Sequence, residues 1–171
     1  MTTIPLSSIR MDGGTQTRAQ LDMATISEYA EAMKDGAQFP PVVVFYDGSQ
    51  YWMADGFHRW HAADLADIST LACDVRPGNR RDAVLYSCGA NSAHGLRRTN
   101  ADKRRAVMLL LNDDEWQQWS DGVIAQKCGV SQPFVSGLRP SHNDYEIDEP
   151  RTVSRGGTTY TMNTANIGRQ M

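Results

Sequence analysis

The sequence predicts an α+β domain followed by an all-helical region. Three observations carry that division. A β-branched and aromatic run, Val42-Val43-Val44-Phe45-Tyr46, is joined by Asp47-Gly48-Ser49 to a second extended run ending at Ala54, which is the pattern of an antiparallel hairpin. Helical periodicity brackets this hairpin on both sides. From Asn100 onward every periodic segment reads as helix.

In order along the chain, Ile4-Pro5-Leu6 and Ile9 suggest a short opening strand, and Gly13 to Arg18 is a loop by composition. Ile26, Tyr29, Ala30 and Met33 recur at helical spacing, so a helix is expected over about residues 23–35 with Gly36 closing it. The hairpin strands are expected at 42–46 and 51–54, and a helix from about Phe57 to Ala66. Thr70 to Val75 is a further strand, and Asn79 caps a helix carrying Ala83, Val84, Tyr86 and Ser87. Thr99 or Asn100 caps a helix with Val107, Leu110 and Leu111 on its apolar stripe, and Asp113-Asp114-Glu115 opens a short helix that places Trp116 and Trp119 in the core. Ser120 to Arg139 has the form of a helix-turn-helix. Ile124 and Ala125 face inward, Gly129 makes the turn, Ser131 caps the second helix, and Val135 and Leu138 dock it. Residues 1–98 are thus expected to form the α+β domain and 99–140 the helical region, with the helix-turn-helix at 120–139. Residues 141–171 read as a polar, loosely ordered tail with a turn at Arg155-Gly156-Gly157 between short extended pieces.

Composition narrows the function classes. With 40% hydrophobic and 22% charged residues the chain has the makings of a packed core. No apolar run approaches the length of a membrane span, and Met1 to Pro5 lacks the features of a signal peptide, so a cytoplasmic protein is expected. Three cysteines, Cys73, Cys88 and Cys128, without a C-x-x-C fit a reducing compartment better than a disulfide framework or a zinc site. The net charge of -3 hides an asymmetry. Residues 1–75 hold 4 basic and 10 acidic side chains, net -6, whereas residues 76–140 hold 10 and 6, net +4. A basic middle on an acidic chain is a local footprint for a polyanion.

The most chemically informative stretch is Ala54-Asp55-Gly56-Phe57-His58-Arg59. A glycine between a strand and a helix lets the backbone turn close to a ligand, and the open N–H groups of the new helix then face outward with the positive dipole end behind them. Gly56, Phe57, His58 and Arg59 therefore read as an anion cradle, most simply for phosphate. Asp55 and His58 are the candidate catalytic pair, as metal or proton acceptor and as acid or base. Asp before Gly equally stabilises an ordinary turn, and His58 with His61 lacks the further ligands a metal site requires. Asn91, His94, Arg97 and Arg98 form a second piece suited to phosphate, with Lys103, Arg104 and Arg105 suited to a nucleic-acid backbone. Gln132, Ser136 and Arg139 are the candidate DNA contacts on the second helix of the 120–139 motif.

In the order of these features the sequence resembles the ParB/sulfiredoxin fold superfamily. Arg18 matches the arginine of the first ParB box, Gly56 and Arg59 match the G-E-R-R box at its spacing, and Asn91 with Arg97 or Arg98 resembles the third box. The resemblance covers about residues 4–140, and smaller ParB-like proteins of plasmids, phages and mobile elements match it better than a partition clamp. It implies a ParB-like DNA-binding protein with a nucleotide- or phosphate-binding N-terminal domain, acting in regulation or partition of DNA. Its expected ligands are a nucleoside di- or triphosphate with Mg2+, its expected partner DNA, and its expected assembly a homodimer or a complex with another protein. The glutamate of the second box is absent, and Ala90 stands where the third box often has one. Phe57 replaces the catalytic cysteine of the sulfiredoxin G-C-H-R motif, which excludes sulfiredoxin chemistry. The alternatives are a ParB-like nuclease or NTPase/phosphotransferase using Asp55 and His58, and a protein-binding effector on the same scaffold.

Overall fold

Val42–Tyr46 (β3) is the middle strand of the main sheet, and its four leading residues are buried on both faces. Alternation along a strand sends Val42 and Val44 to one face and Val43 and Phe45 to the other. The first pair packs with Met53, Phe57, Ile4 and Cys73, the second with Ala54 and Ala83. Each fully buried valine contributes about 1.5–3 kcal/mol over its exposed state. That two-sided burial is why the run is continuously apolar.

A computed structural model describes residues 1–90, 97–139, 151–155 and 158–162. Its strands are β1 (Thr2–Pro5), β2 (Ile9–Arg10), β3, β4 (Tyr51–Asp55) and β5 (Thr70–Pro77), in spatial order β1-β5-β3-β4-β2. β3 runs antiparallel to β4 and parallel to β5, β1 is antiparallel to β5, and β2 is parallel to β4. The helices are α1 (Met23–Lys34), α2 (Phe57–Leu65), α3 (Arg80–Gly89), α4 (Asn100–Leu111), α5 (Asp121–Cys128) and α6 (Gln132–Ser136). α1 and α2 pack together through Ile26, Ala30 and Ala62. A separate core joins α3 to the helices that follow it, built from Cys88, Val107, Leu110, Trp116, Ile124, Cys128 and Val135. Residues 151–155 (β6) and 158–162 (β7) pair antiparallel, in keeping with the extended pieces read there, while residues 156 and 157 of the expected turn lie outside the described residues.

The α+β class is as predicted, and several details differ. The expected opening strand is two strands, because the Leu6 N–H bonds the Ser69 carbonyl at 3.0 Å and the chain turns through a 3-10 segment at Leu6–Ser8. The acidic run 113–115 precedes a three-residue 3-10 turn, Trp116–Gln118, rather than an α-helix. Asp113 nevertheless accepts from the backbone of Glu115 and Trp116 at 3.1 Å each, and Trp116 is buried as expected. Ser131 stands at the start of α6 but makes no capping bond with its side chain.

Candidate functional site

Between β4 and α2 the backbone passes through Gly56 with φ +103° and ψ +24°, a left-handed conformation that disfavours any residue with a Cβ. A Cβ there would lie 2.6 Å from Cγ1 of Val42, so the strand itself enforces the glycine. The consequence is a helix start with no capping side chain. α1, α3, α4 and α5 differ in this respect: Asp22, Asn79, Thr99 and Ser120 each accept from the first turn of their helix. At α2 the leading N–H groups are left to the cleft in front of them.

That cleft has a volume of about 470 Å³. Gln16 to Arg18 line it, together with Tyr29, Phe39, Pro40 and Pro41. The turn from Asp55 to Arg59 at the start of α2 and Ala90 complete the lining. Tyr29 and Phe39 meet with ring centroids 4.9 Å apart, so one side of the cleft is aromatic.

Its polar groups are held in place by specific partners. Nε2 of His58 accepts the Asp22 amide at 3.1 Å, a bond that favours the neutral imidazole with its proton on Nδ1. Burial, followed by the charge of Arg18, lowers the His58 pKa, and Asp22 opposes them. Arg18 donates to Asp102 at 3.0 Å and to the Arg97 carbonyl at 3.0 Å. Asp102 also accepts from the amides of Ala19 and Thr99 at 2.8 Å each. Burial would raise the Asp102 pKa, but these hydrogen bonds outweigh it and the net shift is downward.

The structure redirects several residues read as ligand contacts. Arg59 donates to the carbonyls of Pro40 and Pro41 at 2.7 and 2.8 Å and to Asp55 at 3.0 Å. It ties the start of α2 to the segment entering β3, and the Asp55 carboxylate helps to hold it there. Phe57 lends its side chain to the core, so its part in a cradle falls to its backbone. Arg98 is 7% exposed and donates to Cys88, Cys128 and Gly129 carbonyls at 2.9, 2.7 and 3.2 Å. Its guanidinium joins the ends of α3 and α5 instead of facing a phosphate, because a cation is favourable at helix C-termini. Asn91 and His94 lie outside the described residues.

The candidate DNA residues divide in the same way. Ser136 donates to Asp121 at 2.6 Å, and Arg139 donates to Asp121 at 2.7 Å and to the carbonyls of Gln117 and Trp119 at 2.9 Å each. Both side chains are engaged within the helix pair. Arg105 reaches back to the Gln16 carbonyl at 3.2 Å. Gln132 and Arg104 are exposed, as is Arg97, whose carbonyl receives Arg18, and Lys103 is half-buried. α5 and α6 are joined by a turn in which Gly129 takes φ +59°.

Sequence reasoning overlooked Asp102, Tyr29 and Phe39. The Thr99-x-x-Asp102 spacing does signal a capping box, which the structure contains. Nothing local in the sequence signals that the same carboxylate meets Arg18.

Comparison with known proteins places the chain. The model of the ParB N-terminal domain matches residues 1–92. A possible regulatory protein of the streptomycin biosynthesis operon of Streptomyces griseus is 28% identical over 104 residues, covering 61% of this chain and 29% of that protein. Transcriptional regulator NovG of Streptomyces niveus is 30% identical over 102 residues, 60% of this chain and 31% of the regulator. The probable chromosome-partitioning protein ParB of Coxiella burnetii is 27% identical over 124 residues, 72% and 41% of the two chains. The aligned segment thus spans less than half the length of these relatives. Among solved structures, the C-terminally truncated chromosome-partitioning protein ParB of Caulobacter crescentus, complexed to the centromeric parS site, superposes with a TM-score of 0.54 at 17% identity. That superposition covers 81% of this chain and 70% of the other and shows a shared fold. With a family model matching more than half of its length, the chain belongs to the ParB N-terminal domain family.

Proposed function

We propose that this protein is a DNA-binding regulator of the partition and transcription-regulator kind, and that the cleft at the start of α2 takes a nucleoside di- or triphosphate. The observation that carries the reading is the uncapped helix start opening into a 470 Å³ cleft with an aromatic wall. The volume lies within the range of small-molecule sites, the N–H groups suit phosphate oxygens, and Tyr29 and Phe39 suit a base. Among the described residues lining the cleft, Asp55 alone carries a carboxylate, and Arg59 holds it at 3.0 Å. That donor set fits phosphate oxygens; Mg2+ would enter with the nucleotide.

In the same reading α5, the Gly129 turn and α6 act as a helix-turn-helix. Gln132 is the base-reading side chain, because an exposed amide can bond a base edge. Lys103, Arg104 and Arg97 lie on phosphates. The regulator and partition relatives support this class of function.

A thermal-shift screen of the full chain against ATP, ADP, CTP and GTP, with and without Mg2+, tests the cleft. A ligand at 100 times its Kd should stabilise the fold by about 2.7 kcal/mol. DNA binding is tested by its salt dependence, which steepens by about 0.9 in log K against log salt per phosphate contact. Silence from every nucleotide, together with DNA affinity weaker than roughly 10⁻⁴ M at physiological salt, overturns the proposal.

A further inference from the structure

Cys88 and Cys128 take no part in the cleft or in the surface of the helix pair. Cys88 lies in the last turn of α3 and Cys128 is the final residue of α5. Neither has exposed surface, and both belong to the core that joins α3 to the later helices. Their backbones run side by side. A Cβ on Gly89 would lie 2.6 Å from the Lys127 carbonyl oxygen, and one guanidinium, that of Arg98, bonds the Cys88 carbonyl at 2.9 Å and the Cys128 carbonyl at 2.7 Å. The two thiols lie in the same core and influence each other's ionisation, and the Cys88 thiol donates to the Ala106 carbonyl at 3.6 Å.

We propose that Cys88 and Cys128 form an oxidisable pair, which a hydroperoxide converts into one intramolecular disulfide stapling α3 to α5.

The pair is asymmetric. The neighbouring Cys88 thiol and the charge of Arg98 lower the Cys128 thiol against the opposing effect of burial, while Cys88 is pushed up. Cys128 is therefore the more readily ionised of the two and the first nucleophile. Its sulfur attacks one peroxide oxygen, the O–O bond breaks, and the departing hydroxide takes up the proton that Cys128 had released, leaving as water. The resulting sulfenic acid is attacked by the Cys88 sulfur; the S–O bond breaks, the S–S bond forms, and the hydroxyl leaves with the Cys88 proton as a second water. Two thiols are oxidised by two electrons and one hydrogen peroxide is reduced to two waters. Burial sets the pace, because the oxidant reaches sulfur when the last turn of α5 opens beside the exposed Gly129. Cys73 is the internal control. It sits in the core beneath the sheet, and burial pushes its thiol up to about 11.

Incubation of the folded full chain with hydrogen peroxide, followed by alkylation and non-reducing peptide mass mapping, decides the matter. The expected product has lost two hydrogens, yields one cross-linked peptide pair containing Cys88 and Cys128, keeps Cys73 alkylatable, and reverts with dithiothreitol. Its melting temperature rises. The wild-type measurement requires no variant to fold, and Cys128→Ser adds a second check by abolishing the cross-link. Three alkylatable thiols after oxidation, a sulfinic acid on Cys128 beside a reduced Cys88, or oxidation of Cys73 in preference to the pair overturns the proposal.

Discussion

The starts of α2 and α4 solve the same problem in opposite ways. Both leave backbone N–H groups without intrahelical partners. At α4 the chain closes them itself: Thr99 accepts from Asp102, Asp102 accepts from Thr99, and the same carboxylate receives Arg18 and the Ala19 amide. At α2 the capping position is a left-handed glycine pressed against Val42, with no side chain to offer. The two lie on either side of the loop carrying Arg18, so the contrast is local. A chain that caps α1, α3, α4 and α5 with side chains leaves α2 open where a cleft begins.

Removing the closure of α4 has the largest expected effect. Asp102→Ala takes one partner from the half-buried Arg18 guanidinium, which keeps the Arg97 carbonyl, and leaves the Ala19 and Thr99 amides without theirs. It should cost about 2–3 kcal/mol in urea unfolding, read as a lower midpoint at unchanged slope. Below the ordinary carboxylate range, wild type should lose part of the same stabilisation. The Asp102 pKa is lowered in the fold, so its contribution is present above the unfolded value and disappears as pH falls through the folded one.

Gly56→Ala attacks the open start and comes next. The strained φ and the contact with Val42 should together cost about 2–3 kcal/mol, and they should move the α2 amides off the cleft. Nucleotide-dependent stabilisation should vanish with it. A variant that keeps full ligand response would show that the amides are not the binding groups.

Asn79→Ala sharpens the contrast by opening a third helix start far from the cleft. It should cost about 1 kcal/mol through lost capping and leave any nucleotide response intact.

What the sequence made legible follows the range of the forces involved. Asn79 as a cap, the Asp47-Gly48-Ser49 turn and the β-branched run of β3 all act within a few residues, and each appears as read. Gly56 was legible as a turn and α2 as a helix for the same reason. The parallel pairing of β2 with β4 and the antiparallel pairing of β1 with β5 depend on partners distant along the chain. Arg59 and Arg98 show the limit most plainly. An arginine has one appearance in a sequence, whether it faces a phosphate or bonds backbone carbonyls, and here both bond carbonyls. Arg18 meets Asp102 across a separation of 84 residues, beyond the reach of any local pattern.

The smallest expected effect belongs to His58. Its pKa is lowered in the fold, so between that value and the ordinary 6.5 or so the unfolded chain binds a proton that the folded chain does not. Stability contributed by the neutral ring is complete above the unfolded value and declines as pH falls through this window. Protonation also forfeits the bond from Asp22. His58→Gln should flatten that part of the stability curve, and an unchanged curve would assign the decline to another group.

The claim that α2 presents an open anion site is tested most directly by amide chemical shifts during titration of the full chain with inorganic pyrophosphate. The account predicts saturable shifts largest at the amides of Phe57, His58 and Arg59, with the capped amides of Arg81 and Asp82 nearly still. Shifts spread over the basic residues of α4 with none saturating at α2 would contradict it.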